Sequence, residues 1–303
     1  MDKLVLLLIS ILPVVIIGFI IYKIDRREKE PIKELVKAFL FGVLAVFVTL
    51  VLSLIFKVIE FDVEKANMLG VFIYSFISVA LIEEFSKWIC GHLFLKNNKQ
   101  YDYMFDGIVY FTYVGLGFAG IENILYTFDT GIVTGIIRAI STVPAHAFFG
   151  VACGYYYSLY KREKLSGGNS GKYLFLSLFV PTILHGFYDF CLFSQNYILI
   201  LVYVVFVVFL YIYSIGNIRK MGRNDHPFIK KKNFCGNCGK KIEECTCEKK
   251  KNYCGNCGKK VEECTCGGVV IRQELPEKKK NFCGNCGKKI EECICNSNSN
   301  NVM

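Results

Sequence analysis

The stretch MLGVFIYSFISVALIEEFSKWICGHLFL, residues 68–95, decides the fold. About 20 mainly apolar residues are enough to cross the hydrocarbon core of a bilayer, and this run exceeds that length. Its charged or protonatable members are few: Glu83, Glu84, Lys87 and His92. A charge at bilayer depth costs roughly 2.5–3.5 kcal/mol on insertion scales, so such side chains face a protein interior or a wet cavity and do chemistry or transport there. Residues 68–95 therefore predict a membrane helix with a polar site buried along its length.

Working outward, the same apolar pattern recurs at about 4–22, 35–58, 105–127, 132–160, 173–193 and 197–215, giving seven spans with 68–95. Lipid offers no partner for backbone N–H and C=O groups, so the spans must be helices, since alternating ten-residue strand segments are absent. The fold class is all-α, a polytopic membrane protein with about seven transmembrane helices. The long third and fifth spans are expected to tilt or to extend past the membrane.

Residues 4–21 do not read as a cleaved signal peptide. They lack a small-x-small site, and the basic residues follow the apolar run. Orientation follows from Lys and Arg in the connections. Lys23, Arg26, Arg27, Lys29 and Lys33 follow the first span, Lys96 and Lys99 the third, and Lys161, Arg162, Lys164 and Lys172 the fifth. The alternate connections are poorer, with Lys3, Lys57 and Lys65 and none at 128–131 or 194–196. This alternation puts the N-terminus outside and the C-terminal tail in the cytoplasm, in a multi-pass protein of the plasma membrane.

The composition changes abruptly near Gly216. The expected organisation is a transmembrane domain at 1–216, a basic linker at 217–232, four-cysteine zinc knuckles at 233–248, 252–267 and 281–296, and a second linker at 268–280. Residues 217–303 hold 19 Lys/Arg and 10 Asp/Glu, a net of 19 − 10 = +9 out of +10 for the whole chain.

Twelve of the 15 cysteines form three copies of Cys-x2-Cys-x6-Cys-x-Cys. The copies are Cys235, Cys238, Cys245 and Cys247; Cys254, Cys257, Cys264 and Cys266; and Cys283, Cys286, Cys293 and Cys295. Four thiolates within thirteen residues suit tetrahedral zinc, and the Cys-Gly-Asn-Cys-Gly turn lets backbone amides point at sulfur. Disulfides are the rival reading, which the reducing cytoplasm disfavours. The unit resembles a zinc-ribbon knuckle, although its second Cys pair follows too soon for a full ribbon. Each loaded site carries a net −2, so three lower the tail from +9 to about +3. That argues against nucleic acid, as does the lack of a row of base-stacking aromatics. A docking role toward a protein partner fits better. The Lys-rich and Asn/Ser-rich linkers read as tethers, and Lys230–Lys232 lies close enough to the last span to touch anionic headgroups.

Within the membrane part, the candidate catalytic residues are Glu83, Glu84, Glu122, His146, His185 and Asp189. Adjacent helical positions differ by about 100°, so one glutamate is expected to face the cavity while its neighbour supports it or points away. Lys87 stands four residues after Glu83, an order that also suits a simple neutralising pair. Glu122 reads either as a third ligand or orienter, or as an interfacial residue. Pro144 frees backbone groups near His146. Asp189 lies one turn beyond His185 and is placed to hold that ring in one tautomer. Asp106 and Arg138 read as interfacial, and Cys90, Cys153 and Cys191 as small packing residues.

Taken in order, Glu83-Glu84-x-x-Lys87, Gly117-Phe118-Ala119-Gly120-Ile121-Glu122-Asn123, His146-Ala147-x-x-Gly150 and His185-Gly186-x-x-Asp189 resemble the PrsW family of intramembrane proteases over roughly residues 70–195. That family is distantly similar to the CAAX-processing membrane endopeptidases. The resemblance implies site-1-type cleavage of single-span membrane proteins such as anti-sigma factors. It implies metalloprotease-like chemistry, with a metal-free, glutamate-activated water argued for the CAAX relatives. The zinc-binding tail lies outside the resemblance. The reaction expected is peptide hydrolysis by a Glu83- or Glu84-activated water. His146 and His185 would hold a catalytic zinc with a carboxylate or stabilise the oxyanion. A non-enzymatic receptor with a zinc-binding tail would leave the membrane carboxylates without a task. A proton-coupled transporter should show pseudo-symmetric halves, which the sequence lacks.

Overall fold

A computed structural model describes residues 3–25, 27–58 and 61–228; the expected zinc knuckles lie outside these residues. The described chain is helical, with one isolated antiparallel bridge between Tyr103 and Pro227. The helices are α1 (Lys3–Ile24), α2 (Ile32–Ile55), α3 (Met68–Leu95), α4 (Asp106–Thr130), α5 (Ile132–Ile140), α6 (Thr142–Ser166), α7 (Ser170–Phe193) and α8 (Tyr197–Arg223). Seven spans of sufficient length and hydropathy result, with α5 and α6 together making the fifth.

Local sequence explains where the helices begin and end. The Asn67 side chain accepts the Gly70 amide at 2.8 Å and starts α3; Asn196 caps α8 in the same way. Gly131, at φ +95°, takes a backbone conformation that side chains disfavour and separates α4 from α5. The fifth span is thus two helices, broken at Ser141 where the apolar pattern predicts one long helix. Pro144 falls in the first turn of α6, where its missing N–H costs nothing. Within α3, residues Tyr74–Leu81 form a π-helical segment immediately before the Glu83-Glu84 pair. Such segments are rare and concentrate at functional sites.

Helix α4 is the axis of the bundle. It packs against α1, α2, α3, α5 and α6, and 72% of its apolar window is buried, against 11% for α8 at the periphery. Small residues permit these close crossings. A side chain at Gly117 would strike the Phe39 carbonyl of α2, and one at Gly150 would strike the Phe111 carbonyl of α4. Tyr110, Phe111, Leu116 and Phe149 fill the interior. Large apolar residues on α1, α2 and α8 lie exposed along whole helix faces, as lipid contact requires.

After α8 the chain turns back onto the α3–α4 connection. The Phe228 amide donates to the Asp102 carbonyl at 2.8 Å, and the Phe105 amide to Asp225 Oδ1 at 3.0 Å. Asp106, at the start of α4, is 1% exposed and accepts the Asp102 and Tyr103 amides at 2.9 and 2.6 Å. The folded-back connection covers it, which a linear reading of the chain does not reveal.

Candidate active site

Five helices deliver their charged side chains to one buried place: Glu83, Glu84 and Lys87 from α3, Glu122 from α4, Arg138 from α5, His146 from α6, and His185 and Asp189 from α7. Lys87 Nζ lies at the centre. It stands 2.7 Å from Glu84 Oε1, 3.5 Å from Glu83 Oε2 and 3.1 Å from His146 Nδ1. Phe118 lies beneath it, with the ring centroid 4.3 Å away.

The two glutamates are held differently. Glu84 is held through Oε1, which His185 Nδ1 also approaches at 2.9 Å. Glu83 Oε2 is buried and has no hydrogen-bond partner, with His185 Nε2 3.9 Å away. Both carboxylates face the cluster, so the neighbour of the cavity-facing glutamate supports the site and does not point away. Lys87 pairs more tightly with Glu84 than with Glu83, the partner expected from spacing.

Each imidazole is fixed by its neighbours. The Lys87 ammonium has only donors, so His146 Nδ1 accepts and His146 Nε2–H donates to Glu122 Oε2 at 2.8 Å. Glu122 is therefore not an isolated interfacial residue. Its carboxylate also meets Arg138 Nη2 at 2.9 Å. Asp189 Oδ2 lies 3.2 Å from His185 Nε2, and Phe149 stacks on the His185 ring at 4.8 Å. The two imidazoles meet edge to face at 5.2 Å.

Arg138 is the participant that sequence reasoning missed. Expected at the interface, it reaches inward from α5, donates through Nε to Asn123 Oδ1 at 3.3 Å, and sits over the Tyr126 ring at 4.2 Å. The signal is a lone arginine in the otherwise uncharged helix Ile132–Ile140.

These groups can accommodate a metal ion. Among the described residues, Glu83, His146 and His185 each offer one ligand atom, all within 4.8 Å of one another. One carboxylate and two imidazoles are a familiar hydrolytic donor set. Four carboxylates face Lys87, Arg138 and a His185 ring held between Glu84 and Asp189, so the cluster carries an acidic surplus that a cation can offset. Buried charge without compensation costs several kcal/mol per ion, so this surplus is not a stabilising device.

The family model for "PrsW family intramembrane metalloprotease" matches residues 30–214, more than half of the chain. The chain belongs to the PrsW family. Protease PrsW of Clostridioides difficile (strain 630) is 35% identical over 247 residues, covering 79% of this chain and 98% of that protein. Protease PrsW of Geobacillus kaustophilus (strain HTA426) is 36% identical over 175 residues, covering 58% and 74%. Protease PrsW of Bacillus subtilis (strain 168) is 36% identical over 201 residues, covering 66% and 87%. No solved structure matches. As a PrsW protein the chain is a membrane-embedded peptidase. The receptor and transporter readings are thereby set aside.

Proposed function

We propose that this PrsW protein cleaves single-span membrane proteins of the anti-sigma-factor kind, as a site-1-type endopeptidase, with Glu83 activating the attacking water. The observation that carries this reading is the contrast between the two adjacent acids: Glu83 Oε2 is buried without a partner, while Glu84 is bound by Lys87 and His185. A general base needs an oxygen not already committed to a protein donor, and Glu83 Oε2 makes no hydrogen bond within the protein.

In the proposed reaction Glu83 removes a proton from water, and the oxygen adds to the scissile carbonyl carbon. The C–N bond then breaks as Glu83 returns the proton to the leaving nitrogen. Lys87 and the imidazoles line the place where negative charge develops on the carbonyl oxygen. Glu84 positions His185 and Lys87, Asp189 restrains the far side of the His185 ring, and Glu122 orients His146. Glu83, His146 and His185 are the residues that would hold a metal ion, Glu83 keeping its second oxygen for the proton. Such an ion, when bound, supplies Lewis-acid polarisation and a more acidic water.

For the remainder of the chain we propose a plasma-membrane orientation with the N-terminus outside and the tail in the cytoplasm. Within it, 1–216 is the protease domain, and 233–248, 252–267 and 281–296 are zinc knuckles that recruit a protein partner or substrate. The support is the loop charge alternation and the repeated spacing of four cysteines. Metal analysis of the purified chain tests the tail: about three zinc ions lost on Cys→Ser replacement of the twelve cysteines support it, and an unchanged zinc content counts against it. Co-expression with tagged single-span membrane proteins tests the chemistry. A clipped product that disappears with Glu83→Gln is expected, and a product that persists would remove Glu83 from the reaction.

A further inference from the structure

A second polar feature lies well away from the protease cluster, where the last turn of α1 meets the last turns of α8. A cavity of about 300 Å³ opens there, with Ile24, Asp25, Arg27, Arg219, Arg223 and Asp225 among its walls. By volume it has room for about ten water molecules. Its depth in the membrane follows from length: α8 has 27 residues and so spans about 40 Å, about 10 Å more than the hydrocarbon core. The end of α8 therefore reaches the headgroup layer, and Ile24 marks the exit of α1 at the same cavity.

The charges are arranged by sign. Arg27, Arg219 and Arg223 are exposed at the rim, whereas Asp25 and Asp225 are buried. Asp225 is committed, since Oδ1 accepts the Phe105 amide at 3.0 Å. Asp25 is only 2% exposed, and its Oδ2 has no hydrogen-bond partner. Burial pushes the Asp25 carboxyl up to about 6, with the neighbouring Glu30 amide and Lys29 only partly opposing the shift and Asp225 and Glu28 adding to it. Asp25 lines the cavity, and the protein leaves the hydrogen-bonding capacity of its Oδ2 unmet. Beside the cavity, Ile20 and Ile24 on α1 and Ile215 on α8 are exposed to lipid, so an acyl chain can run from the cavity into the bilayer.

We infer that this cavity is a headgroup site for phosphatidylethanolamine, with the lipid phosphate held by Arg219 and Arg223 and its primary ammonium donating to Asp25 Oδ2. Opposite charges at the two ends of one short headgroup match the arginine rim and the aspartate floor. Phosphatidylglycerol would satisfy the arginines yet leave Asp25 without a counter-charge. Phosphatidylcholine carries the positive charge but has no N–H to donate. Guanidinium groups bind phosphate oxygens in paired hydrogen bonds.

Native mass spectrometry of the full chain, released from micelles with equal phosphatidylethanolamine, phosphatidylcholine and phosphatidylglycerol, tests the assignment. Phosphatidylethanolamine should be retained about tenfold over either competitor, about 1.4 kcal/mol of preference. Soluble phosphoethanolamine should displace it better than inorganic phosphate, which separates headgroup recognition from simple anion binding. Asp25→Asn should erase the preference over phosphatidylcholine, and the Arg219→Gln/Arg223→Gln double variant should reduce retention of all three lipids. Equal retention of the three lipids by the unaltered protein would overturn the inference whatever the variants do. So would a preference for phosphatidylglycerol, or full retention by the arginine double variant.

Discussion

His185 Nδ1 lies 2.9 Å from Glu84 Oε1, although 101 positions separate the two residues in the chain. This contact ties α7 to α3 inside the bundle. It leaves Glu83, the neighbouring acid, with an oxygen that makes no hydrogen bond and stands in a longer 3.5 Å ion pair with Lys87.

The two glutamates should therefore fail differently. Glu83→Gln should lower cleavage by at least 100-fold while leaving the melting temperature within a few degrees, because the pair to Lys87 that is lost is a long one at 3.5 Å and Lys87 keeps its 2.7 Å pair with Glu84. Glu84→Gln should lower both, since it weakens contacts to Lys87 and His185 and leaves buried charge uncompensated by a few kcal/mol. Parallel melting curves and reporter cleavage for the two variants check the distinction.

Arg138 should matter through Glu122. Removing the guanidinium as Arg138→Gln leaves Glu122 with only His146 as a close partner, and cleavage should fall about 10- to 100-fold. Arg138→Lys should restore part of it, because charge is kept but the bond to Asn123 Oδ1 is lost. Reporter cleavage by both variants, normalised to folded protein, provides the measurement.

Much of this is legible in the sequence alone. The seven spans follow from apolar length, which needs no knowledge of packing. The six membrane residues stand out because charge at that depth is costly. Arg138 does not stand out as a partner, because Gly131 begins a separate short helix whose direction the sequence does not give. Helical spacing assigns Lys87 to Glu83. Glu84 is also within reach at i,i+3, and only the position of His185 decides between them. That Asp106 is buried does not show in the sequence, because the chain beyond α8 returns to cover the α3–α4 connection.

The close helix crossings predict a sharp contrast between glycines. Gly117→Ala places a methyl group against the Phe39 backbone and should cost about 1–3 kcal/mol. Gly216→Ala on α8 meets open space and should be neutral or slightly stabilising. Thermal melting in one detergent compares them directly.

The segment between α1 and α2 should respond to pH. Burial raises Glu30 to about 7, with the hydrogen bonds from Tyr110 and Asp106 opposing the shift and Asp25 and Asp102 adding to it. Asp25 rises to about 6. Both acids hold protons more tightly when folded, so their contribution is greatest below the unfolded carboxyl range of about 4. It is lost as pH rises through 6 to 7. Hydrogen exchange across residues 22–31 should therefore quicken from pH 5 to pH 8 beyond the intrinsic rate change, and Glu30→Gln should flatten that response.

A metal at Glu83, His146 and His185 predicts a specific loss. A membrane-permeant chelator should abolish cleavage, restored by adding back one divalent ion. Metal content of a tail-deleted chain should fall by about one ion per molecule in His146→Ala. A chain that cleaves undiminished in chelator would assign the work to the protein groups alone.

The central claim is that Glu83 handles the proton of the attacking water within a cluster built from five helices. Its most direct test is single-turnover cleavage of a tagged single-span reporter by the purified chain in solvent containing ¹⁸O-labelled water, with Glu83→Gln alongside. The account predicts one ¹⁸O atom in the new carboxyl terminus for the unaltered chain and no product above background for Glu83→Gln. Labelled product formed at an undiminished rate by Glu83→Gln would contradict it.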